Sequence, residues 1–228
     1  MRPAAFSLAL FGMCWSTSAN AQDTLEIGVL RDTDLSVVQK KLYPKDDRTE
    51  IGVHLAVIPF DAYVWSPNVQ LSFDKHFTDA IGLSVVAGGG YGFTTATYRL
   101  LDSPTFGVAP YAYRYLGSAL IGATWSPVYA KLNWNGARVM HFDVYGAARA
   151  GATVEQSVLP DGGLAFGPTL SPAVGARIWL SERTTFRLEV RDDLLVERRE
   201  LTQTWNFKQN LNVQFGLTFF GAVKEGRP

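Results

Sequence analysis

The stretch Ser126 to Thr153 decides the fold: SPVYAKLNW over 126–134, NGAR over 135–138 and VMHFDVYGAARAGAT over 139–153. Asn135-Gly136 is the strongest short-range hairpin signal in the chain, because a type I′ turn needs positive φ at both central residues. After the turn the residues alternate. Met140, Phe142, Val144, Gly146, Ala148, Ala150 and Ala152 form one set; His141, Asp143, Tyr145, Ala147, Arg149 and Gly151 form the other. A period of two gives one apolar face and one carrying a His, an Asp and an Arg. The charges are spaced by small residues and a tyrosine, as a crowded polar interior requires. The pattern predicts a membrane-spanning strand with lipid on one side and a packed polar lumen on the other.

Composition is compatible with this. The 228 residues carry a formal net charge of +0, which gives no footing for a nucleic-acid partner. Hydrophobic content is 47% and mean hydropathy +0.02, far too low for a helical membrane protein. Membrane barrels have ordinary compositions because only alternate residues face lipid. Residues 1–21 read as a secretory signal: Arg2, an apolar run from Ala4 to Trp15, and Ala19-Asn20-Ala21 as the cleavage site. The single cysteine, Cys14, falls inside this signal, and the bulky Met13 before it argues against lipoprotein processing. The mature chain then has no cysteine and crosses an oxidising compartment without disulfides. No other segment reads as a transmembrane helix.

The domain organisation that follows is a signal peptide over 1–21, a periplasmic N-terminal extension over 22–48, a barrel over 49–220 and a C-terminal tail over 221–228. Within the extension, Asp34 and Pro44 bracket a short helix, LSVVQKKLY. Eight strands are expected at about 49–58, 68–77, 80–94, 117–134, 139–153, 169–180, 184–196 and 206–220, with Pro127 at a bulge or bend. Connections at 78–79, 133–137 and 181–183 are short; those at 95–116, 154–168 and 197–205 are long. Short periplasmic turns and longer outer loops belong to transmembrane barrels. An even strand count closes the sheet and removes its edges. The fold class is therefore all-β, an antiparallel up-and-down transmembrane barrel of eight strands. Trp65, Phe77, Tyr91, Phe93, Trp134, Trp205 and Phe219, at strand ends, suit interfacial girdles. A soluble lipocalin-like barrel would turn the same faces the other way round. Two features favour the membrane: the apolar sets hold almost no charge beyond Lys75 and Asp192, and the turn lengths alternate.

The inward sets bring together His54, Asp74, His76, His141, Asp143, Arg149, Arg177, Arg187, Glu189, Arg191 and Asp193. Histidines and carboxylates could hold a metal or act as acid and base. An eight-stranded interior, however, is just wide enough for side chains, and buried charges there must pair. The expected reading is a structural network, with the bare Gly82, Gly88, Gly90 and Gly92 leaving a recess for the arginines. The histidine spacing does not match a zinc site. No nucleophile elbow, phosphate loop or H-E-x-x-H is present, and Gly88-Gly89-Gly90 lies in a strand pattern with no helix after it. Ser72 and Ser84 point inward without a catalytic context. No catalytic residue, cofactor or metal ligand is assigned.

Several stretches also resemble the myxobacterial-type (deltaproteobacterial) outer-membrane β-barrel domain family. They are Val37-Val38-Gln39 with Leu42-Tyr43-Pro44-Lys45, Ser126-Pro127-Val128-Tyr129-Ala130-Lys131, His141-Phe142-Asp143-Val144-Tyr145, Gly167-Pro168-Thr169-Leu170 and Arg187-Leu188-Glu189-Val190-Arg191-Asp192. The resemblance implies an outer-membrane location and a closed barrel. The tail after Phe220 departs from the common aromatic ending, so Phe219 or Phe220 would serve assembly internally. The expected function is a structural or partner-docking barrel of a Gram-negative envelope, its lumen plugged by charged side chains. The alternatives are a narrow, porin-like solute pore and a component of an envelope-spanning machine, for example in gliding motility. Expected partners are outer-membrane lipid and lipopolysaccharide, the barrel assembly machinery, and envelope proteins.

Overall fold

The computed structural model describes residues 42–134, 138–159, 163–198 and 204–222. The chain divides into two units, Met1–Lys40 and Lys41–Pro228, and the described residues all belong to the second. The expected signal peptide, most of the helix before Pro44, the Asn135-Gly136 turn, Pro160 to Gly162 and the last residues of the tail lie outside the described residues.

The elements in order are β1 (Thr49–Ile58), β2 (Val64–His76), β3 (Ile81–Gly90), β4 (Phe93–Thr94), α1 (Ala96–Leu101), β5 (Tyr113–Trp134), β6 (Arg138–Ser157), β7 (Leu164–Trp179), β8 (Thr184–Arg198) and β9 (Trp205–Phe220). Each long strand pairs antiparallel with the next, and β1 pairs with both β2 and β9. The closing seam runs from Glu50↔Phe220 to Val57↔Val213. Eight strands thus form a closed ring, and β4 pairs only with the top of β2.

Side-chain burial is inverted relative to a soluble barrel. Along β1, Ile51, Val53 and Leu55 are about half exposed, whereas Glu50 and His54 are buried. Along β8, Leu188 and Val190 face out while Arg187, Glu189, Arg191 and Asp193 are at most 1% exposed. In water so extensive an apolar exterior would be an aggregation liability; against hydrocarbon it is the favourable surface, and the closed ring leaves no lipid-facing backbone edge. The lipocalin-like orientation is therefore excluded. Trp65, Phe77, Tyr91, Phe93, Trp205 and Phe219 are exposed on this exterior. No helix among the described residues is long and apolar enough to cross a membrane.

Several boundaries differ from the sequence reading. β2 starts at Val64 and β5 at Tyr113, so the first loop and the 95–116 segment are shorter than expected. The latter contains α1, capped by the Thr95 hydroxyl accepting from Tyr98 N at 3.3 Å. The expected loop over 154–168 is largely strand, since β6 runs to Ser157 and β7 begins at Leu164. These tops were missed because burial still alternates there while residue polarity does not: Leu164-Ala165-Phe166-Gly167-Pro168 has no polar residue on either face. Leu42 and Tyr43 lie in a bend, not in a helix. Pro127 sits at a register shift between Trp125 and Val128, where its missing N–H costs no ladder bond. Val64, Tyr98 and Ala112, with Tyr63 and Val158, form a small apolar cluster at the outer end. Burial there pushes the Tyr98 phenol pKa up, and Asp102 adds to the effect.

Candidate functional site

The site is the lumen itself, because alternation aims every second residue of eight strands at one axis. At its middle is Glu189 of β8. Its carboxylate accepts from Arg149 Nη1 at 2.8 Å and Nη2 at 3.1 Å, and from Arg187 Nη2 at 2.9 Å. It also accepts from the Tyr145 hydroxyl at 2.6 Å and from Gln214 Nε2 at 2.8 Å. Arg187 donates in addition to Asp74 Oδ2 at 2.6 Å and to Tyr145 Oη at 2.5 Å. The Tyr145 ring lies under two guanidiniums, 4.3 Å from Arg177 Cζ and 4.6 Å from Arg187 Cζ. Each contact adds cation–π attraction in a dry setting. A side chain at Gly175 would collide with the Tyr145 hydroxyl, so the glycine makes the seat for this ring.

Toward the periplasmic end, Arg177 pairs with Glu50 at 3.2 Å and with Asp143 at 3.5 Å. His76 Nε2 meets Glu50 Oε2 at 2.9 Å. Lys45, from the segment before β1, reaches up and donates to Asp143 with both side chains at 1% exposure. Tyr43, just before it in the chain, is stacked on Trp179 with centroids 4.9 Å apart and edge-on to His141. Arg48 pins this segment by donating to the Gly221, Pro44 and Glu182 carbonyls at 3.0, 3.1 and 3.0 Å. Burial first, and then neighbouring Arg183, lowers the Arg48 pKa. The four cations Lys45, Arg149, Arg177 and Arg187 thus meet the four carboxylates Glu50, Asp74, Asp143 and Glu189, and the formal charges cancel.

Of the eleven residues aimed at the lumen from sequence, Asp74, His76, Asp143, Arg149, Arg177, Arg187 and Glu189 are joined in this network. His54 lies beside it, bonded to Ser72 Oγ at 2.9 Å. His141 packs against Tyr43 and Tyr129 at the periplasmic mouth, outside the ion pairs. Arg191 and Asp193 pair with each other at 3.3 Å, further toward the outer end. Glu50, Tyr145 and Gln214 were not singled out, although each shares its strand's inward parity; Lys45 precedes any alternating pattern and gives no such signal. The glycines of β3 do not house arginines as expected. Asn68 and Gln70 of β2 and His76 press on Gly90, Gly88 and Gly82, because cross-strand neighbours lean over a bare backbone; the arginine that reaches β3, Arg149, bonds Ser84 at 3.0 Å instead. Among the described residues, no group of three or more His, Cys, Asp or Glu is placed to hold a metal ion.

No protein-family model matches the chain, and no curated protein matches it. Among solved structures it is similar to the N-terminal β-barrel domain of Pseudomonas aeruginosa OprF, at 9% identity and TM-score 0.48 over 77% of this chain and 98% of that one. It is similar to the OprG outer membrane protein of the same organism, at 15% identity and TM-score 0.49 over 79% and 99%. Neisserial surface protein A aligns at 8% identity and TM-score 0.49 over 75% and 95%. At these identities and superpositions the fold is established by the chain's own ring and its inverted faces. Closed antiparallel barrels with an apolar belt outside and a polar lumen inside are the form in which single chains span outer membranes, and this chain is an integral outer-membrane β-barrel.

Proposed function

We propose that the barrel does not conduct and has a structural or partner-docking role in a Gram-negative envelope. The observation that carries this reading is the neutral network of four cations and four carboxylates across the lumen, closed below by Lys45. Charges paired this way stay put, because withdrawing one member strands its partner in a dry interior. Both ends are left for partners. The segment carrying Lys45 leads toward the periplasm, and the outer end exposes Phe60, Phe106 and Val108. The belt faces lipid, with lipopolysaccharide at its outer rim. No catalytic role is assigned; the four cations and four carboxylates of the central network are engaged with one another.

Membership in the myxobacterial-type barrel family belongs to the same proposal. It is supported by the place of Leu42-Tyr43-Pro44-Lys45, one of the resembling stretches, which enters the periplasmic mouth as its stopper. The test is osmotic swelling of liposomes holding the refolded protein, challenged with small sugars and amino acids. Swelling no faster than in protein-free liposomes is expected. Rapid swelling graded by solute size would overturn the plug.

A further inference from the structure

Buried polar atoms without a partner occur at both levels of the lumen, Arg177 Nη2 among them below, but among the described residues only in the outer half does an arginine lack partners for both terminal nitrogens. Arg191 is 1% exposed and donates from Nε to Asp193 Oδ2 at 3.3 Å, yet Nη1 and Nη2 both lack a partner. Asn212 is its cross-strand neighbour on β9, fully buried, with neither amide atom partnered. Gln70 donates to Asn68 Oδ1 at 2.6 Å and to Tyr115 Oη at 3.0 Å, while its Oε1 lacks a partner. Tyr115 lies within electrostatic reach of both Arg191 and Asp193. The inward residue paired with Arg191 on β7 is small, Ala173, while the space over Gly88 is taken by the Gln70 amide. A cavity of about 520 Å³ opens at the outer rim and is lined by residues of both faces, Asp192, Gln209 and Leu211 on the outward one and Asn210 on the inward face it shares with Asn212; it does not reach Arg191 or Asn212.

Unpartnered buried polar atoms are costly, and a guanidinium more so than an amide. In the lower network Arg149 and Arg187 spend their terminal nitrogens on carboxylates. Arg191 keeps a planar fork of parallel N–H donors, the geometry that takes two oxygens of one anion. Asn212 can add a third donor beside it. Asp193, already bonded to Nε and to Ser171 Oγ at 2.6 Å, limits the charge the site accepts, since a dianion would meet its carboxylate. We propose that Arg191 and Asn212 form a binding site for a small monovalent oxyanion of the carboxylate class, taken up from the outer mouth. The site lies above the paired network, so it can exist whether or not the barrel conducts.

The experiment follows the thermal unfolding midpoint of the refolded barrel in detergent, at fixed pH and ionic strength, as formate, acetate or chloride is raised. Formate and acetate are expected to raise Tm progressively with concentration, as a ligand selective for the folded state must, and chloride to raise it less. Arg191→Gln should abolish the carboxylate dependence. Asn212→Asp supplies a carboxylate from the chain's own cross-strand neighbour, so it should raise Tm in anion-free buffer and remove the response to formate. Equal shifts in all three salts, or no shift, would overturn the site. So would a carboxylate response that survives Arg191→Gln or, should that variant not fold, survives Asn212→Asp.

Discussion

Replacing Glu189 by alanine tests the network at its most connected point. The carboxylate is fully buried and accepts from two arginines, a tyrosine and a glutamine. Without it Arg187 keeps Asp74, but Arg149 keeps only the Ser84 hydroxyl and becomes a buried cation with no carboxylate. The network passes from neutral to one net positive charge. Breaking one member of a buried pair costs about 3–5 kcal/mol, most of it the stranded charge. The assay is equilibrium urea unfolding from lipid vesicles, followed by tryptophan fluorescence, with the electrophoretic shift of folded barrel as a second probe. Arg149→Ala in the same background should restore neutrality. The double variant is then expected to lose less than the sum of the two single losses, by about 0.5–3 kcal/mol of coupling. A loss below about 1 kcal/mol for Glu189→Ala, or strictly additive losses, would refute the idea that these charges depend on one another.

Further substitutions probe the wall and the seat of the hub. Val190→Arg puts a charge on the lipid face and should cost about 2–4 kcal/mol if the position is near the bilayer midplane; unchanged folding into vesicles would reverse the assignment of faces. Gly175→Val should displace Tyr145 and be far more damaging than Gly146→Val, where the nearest atom to an added Cβ is the Ala173 carbonyl oxygen at 3.9 Å; equal unfolding midpoints for the two would remove Tyr145 from the network.

The ring itself was legible in the sequence because alternation is a local property. Arg187, Glu189, Arg191 and Asp193 read as one face from β8 alone, and Met140 to Ala152 as the other kind of face from β6 alone. The same parity carried Glu50 and Tyr145, but nothing local marks a tyrosine as the point where two guanidiniums stack. That depends on the shear between strands, which brings Tyr145 over Gly175 and under Arg177 and Arg187. The alternation was ambiguous in one respect, inside against outside, and only the closed ring with its burial resolves it. Lys45 was illegible for a different reason. It lies before the first alternating residue, and its partner Asp143 is on β6, far along the chain. The strand tops at Tyr113 and Leu164 escaped because polarity stops following burial there: Tyr113 and Tyr115 are buried with Arg114 between them, and Leu164 to Pro168 has no polar residue on either face.

The most direct measurement of the account is the current across a planar lipid bilayer into which the purified, refolded barrel has been inserted. A lumen filled by Lys45, Arg149, Arg177 and Arg187 against Glu50, Asp74, Asp143 and Glu189 predicts no steady conductance above that of the bare bilayer, in a preparation whose insertion is verified by protease protection. Reproducible channels of uniform size in the wild type, with an ion selectivity altered by Glu189→Ala, would contradict it.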